Sequence, residues 1–385
     1  MNHEESKKYL YFLILVLALV CVGLVMVYSA SHPIAAQKFK DPSHFLKNHF
    51  IRLALGSLLF ALGAAVPYRR WARWGRLGIL VSFVLLALVL IPGPQRSTIN
   101  HATRWLHFGS FRFQPVDFVR LFVIFYLADA LTRKEELLSN FKEGVLPQVL
   151  VLGVIAGMLF LQPDLGSMLM LLTVAAVLLI TGGVPLKFFA PILAVAPLGF
   201  IFIHDYQRLR ILRYFESVFH GEPVSYQVGQ SLVGLGKGGF WGVGLDNSIQ
   251  KLHFLPEPFS DFIFAILGEE FGFLGTFLVL TAFLAVIFFG YRTAQRARSK
   301  EGLLIAVGIT STIALYAFVN VGVVTSLLPT KGLPMPFISY GGTFQVTVLW
   351  GIGILYNIMR EGAAEEEPPA VRQRAPKARA AWVQS

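Results

Sequence analysis

The stretch Leu165-Gly-Ser-Met-Leu-Met-Leu-Leu-Thr-Val-Ala-Ala-Val-Leu-Leu-Ile180 carries no charge and two hydroxyls. Its apolar residues come as a block and not in alternation, and Ile79–Ile91 is built the same way. Of the 385 residues, 55% are hydrophobic and 14% charged, whereas a soluble domain carries about 25% charged residues. This composition excludes a disordered chain and argues against a soluble enzyme. A membrane-spanning helix needs about 20 mostly apolar residues. Windows of that length place helices at 9–31, 49–66, 77–92, 115–132, 145–161, 165–182, 187–203, 262–290, 302–327 and 342–359. The expected fold is all-α, a polytopic membrane protein of about ten helices, with a long outer loop between the seventh and eighth.

Lys7 and Lys8 precede the first span and Ser29-Ala-Ser31 resembles a cleavage site. The apolar core is too long for a signal peptide, so a retained anchor is expected. An even number of spans puts both termini on one side. With the N-terminus inside, the short inner loops carry fourteen Lys and Arg and the short outer loops seven, the long segment 204–260 and the tail being set aside, which favours both termini in the cytoplasm. In this context the net charge of +11 speaks of topology, and no nucleic-acid partner is expected. Residues 361–385, acidic and then basic with Pro368, Pro369 and Pro376, read as a mobile cytoplasmic tail. The outer segment 204–260 is too rich in aromatics and glycine for disorder, and its length points to function. The single Cys21 allows no disulfide, and nine histidines without an i, i+4 pair argue against a built-in transition-metal site.

Carboxylates of the outer side are the first candidates for chemistry. Asp261 opens the eighth span after Pro256-Glu-Pro-Phe-Ser260. It reads either as a helix N-cap or as a partly desolvated general base, with Glu257 at the rim. Glu269 and Glu270 lie two turns further, in a Gly268-to-Gly272 spacing that fits helix packing. Asp117 and Arg120, three apart, predict a buried ion pair that is structural or lines a cavity. Asp164 caps the sixth span or faces a substrate. Gly234-Leu-Gly236-Lys-Gly-Gly239 matches a dinucleotide fingerprint only formally, because no βαβ unit surrounds it; close backbone approach, to a phosphate among other groups, is the better reading. Arg208, Arg210 and Arg213 alternate with Leu209, Leu212 and Phe215, as in an amphipathic helix on the outer leaflet. Lys331, among Pro329, Pro334 and Pro336, marks an irregular segment entering the membrane. It can snorkel outward or neutralise a pyrophosphate leaving group.

Several of these segments together resemble the SEDS family (shape, elongation, division and sporulation). They are Phe113-Gln-Pro115, Gln162-Pro-Asp-Leu-Gly166, Gly234–Gly244, Asn247-Ser-Ile-Gln-Lys251, Leu255-Pro-Glu257 with Ser260-Asp261, and Pro336-Phe-Ile-Ser-Tyr-Gly-Gly342. Asn320-Val-Gly-Val-Val-Thr and Leu328-Pro-Thr-Lys-Gly-Leu333 are similar to the cell-division, FtsW-like branch and less so to the RodA-like elongation branch. The resemblance implies a peptidoglycan glycosyltransferase that polymerises lipid II at the outer face of the cytoplasmic membrane, enriched at the division septum. It implies Asp261 as base on the acceptor's 4-hydroxyl. Lys331, Arg210, Asp164, Asp117, Arg120 and Ser339 are the implied substrate-binding residues. It implies no built-in cofactor, with a divalent cation (Mg or Mn) as the one candidate at the site. The implied partners are a class B penicillin-binding transpeptidase and other membrane proteins of the division machinery.

The chain departs from the family pattern at four places. Phe259-Ser260 replaces His-Thr, Asp117/Arg120 replaces Glu/Lys, Thr343-Phe344 replaces a serine pair, and Asp246 replaces glycine. Two other functions compete. A lipid II flippase would use Glu269, Glu270 and Asp129 as gating acids and tolerate loss of Asp261. A division scaffold that recruits a transpeptidase would tolerate loss of them all.

Overall fold

The computed structural model describes residues 3–91, 96–99, 102–108, 111–190, 205–220, 223 and 225–363. In chain order these form α1 (His3–Phe39), α2 (His44–Ala65), α3 (Tyr68–Leu90), three short strands, α4 (Pro115–Arg133), α5 (Leu146–Leu161), α6 (Leu165–Thr181), α7 (Asp205–His220), α8 (Tyr226–Gly238), α9 (Ile263–Gln295), α10 (Lys300–Val324) and α11 (Gly342–Ala363). Seven described helices are long and apolar enough to cross a membrane. α4, which carries charges, and the shorter α6 fill two more of the expected spans. The span expected at 187–203 lies, from residue 191 on, outside the described residues, as does the tail from 364. α11 runs to Ala363, four residues beyond the expected end of the last span.

α10 and α11 form the centre, with Ile305, Ile352, Ile354 and Leu355 fully buried. Trp350 of α11 packs edge-on against Trp71 of α3 and Phe125 of α4, with centroids 5.0 and 5.9 Å away. α1, α2, α3 and α9 expose Leu17, Leu58, Leu80 and Leu284 outward, as helices facing lipid do. The hydrophobic difference that drives folding in water is absent there, so shape and hydrogen bonds carry the packing.

Loops expected to share a side do meet. At the end expected to face the cytoplasm, Asn357 donates to Ala64 O (2.9 Å) and accepts from the Tyr68 backbone N–H (3.1 Å), tying the α2–α3 turn to α11. Lys300 pairs with Glu135, and Asp129 with Arg76 and Arg133. At the opposite end, expected to be the outer one, the segments 96–99, 102–108, 111–113, 162–164, 205–220, 225–262 and 325–341 converge. One local feature is not helical: β1 (Arg96–Ile99), β2 (Ala102–Phe108) and β3 (Phe111–Phe113) form an antiparallel sheet in the order β1-β2-β3. It caps the head of α11, where the ring of Trp105 lies 3.3 Å from the place a Cβ would take on Gly342.

α9 is the key to the outer end. Its 33 residues would measure about 50 Å as one helix, against a hydrocarbon core of about 30 Å. At Gly272 the backbone turns to φ 66, ψ −162 and the helix breaks. Residues 273–295 remain long enough to span, while 263–271 become a separate arm. The groups opened by the break are closed by the loop after α8. Phe273 and Leu274 donate to the carbonyls of Gly239 and Phe240, and Val243 and Gly244 donate to those of Glu269 and Glu270. A Cβ on Gly272 would lie 2.7 Å from Phe240 O. Five of the six residues 234–239 belong to α8, and the close backbone approach expected there is made by Gly238, which abuts the Gly268 carbonyl.

Gly272→Ala should accordingly destabilise the protein by about 1–3 kcal/mol or more, since its conformation is nearly glycine-only. In α8, Gly236 has open space where a Cβ would stand, and Gly236→Ala should be neutral or stabilise by up to about 1 kcal/mol. Thermal unfolding of both variants in detergent checks the contrast.

Candidate active site

Asp261 stands between the extended loop and the arm of α9. The first helical residue is Ile263, the cap position falls on Phe262, and no side chain caps the helix. The N-cap reading of Asp261 is thereby set aside, and its carboxylate is not committed to the helix. Three successive carbonyls fix the backbone there. Phe259 O accepts from Tyr340 N–H (2.9 Å), Ser260 O from the Ser339 hydroxyl (2.6 Å), and Asp261 O from the Asn320 carboxamide (2.8 Å). Around them Phe45, Phe259 and Tyr340 form an aromatic cluster with centroids 4.4–5.6 Å apart. Phe259 thus fills with packing the place where the family pattern has histidine.

Burial first, and then the neighbouring Glu257, push the Asp261 carboxyl up to about 6, while Ser260 and Arg104 pull it down. Its Oδ2 rests against Gly332, where any Cβ would collide with it. The next residue back, Lys331, lies along Gly166, so its ammonium reaches the Gln162–Gly166 turn. Burial lowers Lys331 to about 8; Asp164 opposes that shift, and Arg104 and Arg210 add to it. Asp164 caps α6 through Ser167 N–H (3.3 Å) and lies 3.4 Å from Arg104 Nε. Its other oxygen, Oδ2, is buried without a protein partner. Arg104 also donates to Pro163 O (2.8 Å).

α7 closes this side as the amphipathic helix expected. Arg210 donates to Thr330 O (3.1 Å), Tyr214 to Leu327 O (2.7 Å) and Gln207 to Pro163 O (3.2 Å), while Leu209, Leu212 and Phe215 face outward. Asp261, Lys331, Arg210 and Asp164 are therefore brought to one cluster at this end of the molecule.

Asp117 and Arg120 form the expected buried pair, with 3.7 Å between Oδ1 and the guanidinium. Thr343 donates to Asp117 (2.6 Å), and Arg120 donates to the Tyr316 hydroxyl and lies over the Tyr316 and Phe344 rings. Two of the four departures from the family pattern thus contact each other, Asp117/Arg120 on α4 and Thr343-Phe344 on α11. Ser339 is fully buried, its hydroxyl engaged by Met335 N–H (2.7 Å) and Ser260 O. It holds the backbone before Asp261.

Glu269 and Glu270 are likewise spent inside the fold. Glu269 accepts from Ser248 (2.5 Å) and from the N–H groups of Ile249 and Gln250. Glu270 accepts from Ser29 (2.6 Å) and Lys251 (3.0 Å). Lys251 in turn binds Asp246, which meets His32 of α1 at 2.6 Å. Among the described residues no group of three or more His, Cys, Asp or Glu converges on a metal position. Arg104, Asn320 and Gly332 are site residues that the sequence reading did not single out as such. Arg104 had no signal beyond being a basic loop residue, whereas Asn320 and Gly332 lay within quoted motifs.

A family model described as "Cell cycle protein", FtsW/RodA/SpoVE, matches residues 9–364. The probable peptidoglycan glycosyltransferase FtsW of Geobacter metallireducens is 37% identical over 365 residues, 93% of this chain and 96% of its own length. Stage V sporulation protein E of Bacillus subtilis is 35% identical over 363 residues, 94% and 99% of the two chains. Among solved structures, a chain from a peptidoglycan synthase complex that coordinates polymerization and crosslinking has 26% identity and a TM-score of 0.73, covering 91% of this chain and 97% of its own. RodA of Thermus thermophilus has 26% identity and a TM-score of 0.67, covering 91% and 96%. The chain belongs to the FtsW/RodA/SpoVE family of polytopic membrane proteins, the SEDS family its motifs resemble, and is FtsW-like within it.

Proposed function

We propose that this protein is a peptidoglycan glycosyltransferase that polymerises lipid II at the outer face of the cytoplasmic membrane during septal wall synthesis. The observation that carries the reading is the placement of Asp261. Its carboxylate is uncapped, its backbone is clamped on three carbonyls, and it lies against the segment that carries Lys331. The relatives with FtsW names, described as probable peptidoglycan glycosyltransferases, support the reaction class.

In this reading the Asp261 carboxylate takes the proton of the acceptor's N-acetylglucosamine 4-hydroxyl. The oxygen attacks the anomeric carbon of the donor, the bond from that carbon to the diphosphate breaks, and undecaprenyl pyrophosphate leaves. A base poised near neutrality combines adequate basicity with a useful deprotonated fraction. Lys331, Arg210 and Arg104 supply positive charge where the leaving group gains negative charge, and fixed charges of this kind stabilise a transition state without reorganising. The unpartnered Oδ2 of Asp164 is left to accept from a sugar or peptide N–H or hydroxyl. Asp117 and Arg120 stiffen the floor below it, and Ser339 is a positioning residue. The loop charges support both termini in the cytoplasm. A transpeptidase with a single membrane anchor is the expected partner, which would couple crosslinking to polymerisation. Transport has no comparable support, because the gating acids it would need, Glu269, Glu270 and Asp129, are all paired within the fold.

The full-length protein with its transpeptidase should polymerise labelled lipid II, and folded Asp261→Asn should yield no glycan. Equal polymer from both would reject the base assignment.

The rate should also be bell-shaped in pH. Asp261 acts deprotonated, so kcat/KM rises through about pH 6. Lys331 acts protonated, so kcat/KM falls through about pH 8. Lys331→Arg should move only the alkaline limb upward, since a guanidinium stays charged. An unmoved alkaline limb would assign it to another group.

A further inference from the structure

We infer that Asn320, on α10, is a positioning residue for Asp261, setting the separation between the base and the Lys331–Gly332 segment. The inference rests on the reading of Asp261 given above. One carboxamide nitrogen, Nδ2, donates to two main-chain oxygens, Asp261 O and Leu333 O, each at 2.8 Å. These belong to separate irregular segments: Asp261 precedes the arm of α9, and Leu333 follows the lysine and the glycine against which the carboxylate rests. Both donor hydrogens are used, one toward the base and one toward the cation-bearing segment. The side chain is 2% exposed, and its oxygen is buried without a partner. What Asn supplies here, and an apolar residue of the same shape does not, is a rigid bridge between two loops with no regular structure of their own.

Gly332 makes the bridge consequential. With the two backbones held by one side chain, the Asp261 carboxylate takes the space that a Cβ on Gly332 would need. Loss of the bridge frees the two segments to part and changes the distance from the base to the positive charges. It leaves Arg210 on Thr330 O, which moves with the Lys331 segment, and Arg104 on Pro163 O, so Lys331 and Arg210 stay together while their distance to the base changes. The effect should fall on turnover and spare binding.

The fold supplies a matched control at its opposite end. Asn357, on α11, is also buried and also bridges two backbone groups, Ala64 O and Tyr68 N–H. The test compares Asn320→Leu, Asn320→Asp and Asn357→Leu in the full-length protein with its transpeptidase, reading lipid II polymerisation and thermal unfolding together. Both Leu variants should lower the unfolding midpoint. Only the Asn320 variants should lower kcat, by about 100-fold, as expected for a misplacement near 1 Å, with KM for lipid II changed less than about threefold.

Gly332→Ala, at an exposed glycine, disturbs the same contact and should lower kcat even if the Asn320 variants do not fold. Combined with Asn320→Leu it should cost little more than the worse single change, because both act on one distance. A kcat for Asn320→Leu equal to that of Asn357→Leu, a rise in KM at unchanged kcat, or a fully active Gly332→Ala enzyme would overturn the inference. Asp261→Asn run in parallel separates the two claims. If it is inactive while the Asn320 variants keep full turnover, the positioning role alone fails. If it is active, the base assignment fails, and the inference with it.

Discussion

A backbone N–H or C=O left open at the membrane costs several kcal/mol, and the outer end of this protein is organised by that cost. Four segments there are not regular helix, and each finishes its hydrogen bonding on another. The break in α9 is closed by residues 239–244. The carbonyls of 259–261 are closed by Tyr340, Ser339 and Asn320, and the turn at 335–341 by Ser339 and Gln345. None of these segments is stable without its neighbours, so the place where they meet is both the most constrained part of the fold and the part with the most irregular geometry. Asp261 sits there.

The same arrangement separates two carboxylates by environment. Asp164 is committed to a helix cap and to Arg104, which suits a fixed anion that orients charge. Asp261 is partly buried beside Glu257, and both burial and that neighbouring carboxylate raise its proton affinity. Different surroundings for two like groups are the usual way a site assigns one to hold and the other to exchange a proton. Arg104 lowers the proton affinity of both Asp261 and Lys331, so it joins the two halves of the site. The three-stranded sheet is what carries that arginine over the helix ends.

The helical architecture was legible because a bilayer demands long apolar runs, and these survive as blocks such as Ile79–Ile91. The sharing of sides by loops followed from counting spans. Ion pairing of Asp117 with Arg120 followed from their spacing on one helix face. The features that escaped depend on contacts between distant segments. Gly272 lies in the middle of an apolar run, and only the loop at 239–244 makes it a break. The sheet at 96–113 has no clean alternation of apolar and polar residues. Glu269 and Glu270 fitted a helix-packing spacing, but their partners Ser248 and Lys251 come from a segment read as outer loop, which the spacing could not name. Asp261 has the residue type of a cap, and only the observed start of α9 at Ile263 shows that it is not one.

The central claim is that the base and the cationic cluster face one substrate, the acceptor hydroxyl on one side and the diphosphate on the other. The most direct measurement is a structure of the full-length protein with lipid II bound. The account predicts a 4-hydroxyl within hydrogen-bond reach of the Asp261 carboxylate, about 2.6–3.2 Å, and diphosphate oxygens against Lys331 and Arg210. A sugar hydroxyl held by Asp164 instead, or a diphosphate bound away from these cations, would contradict it.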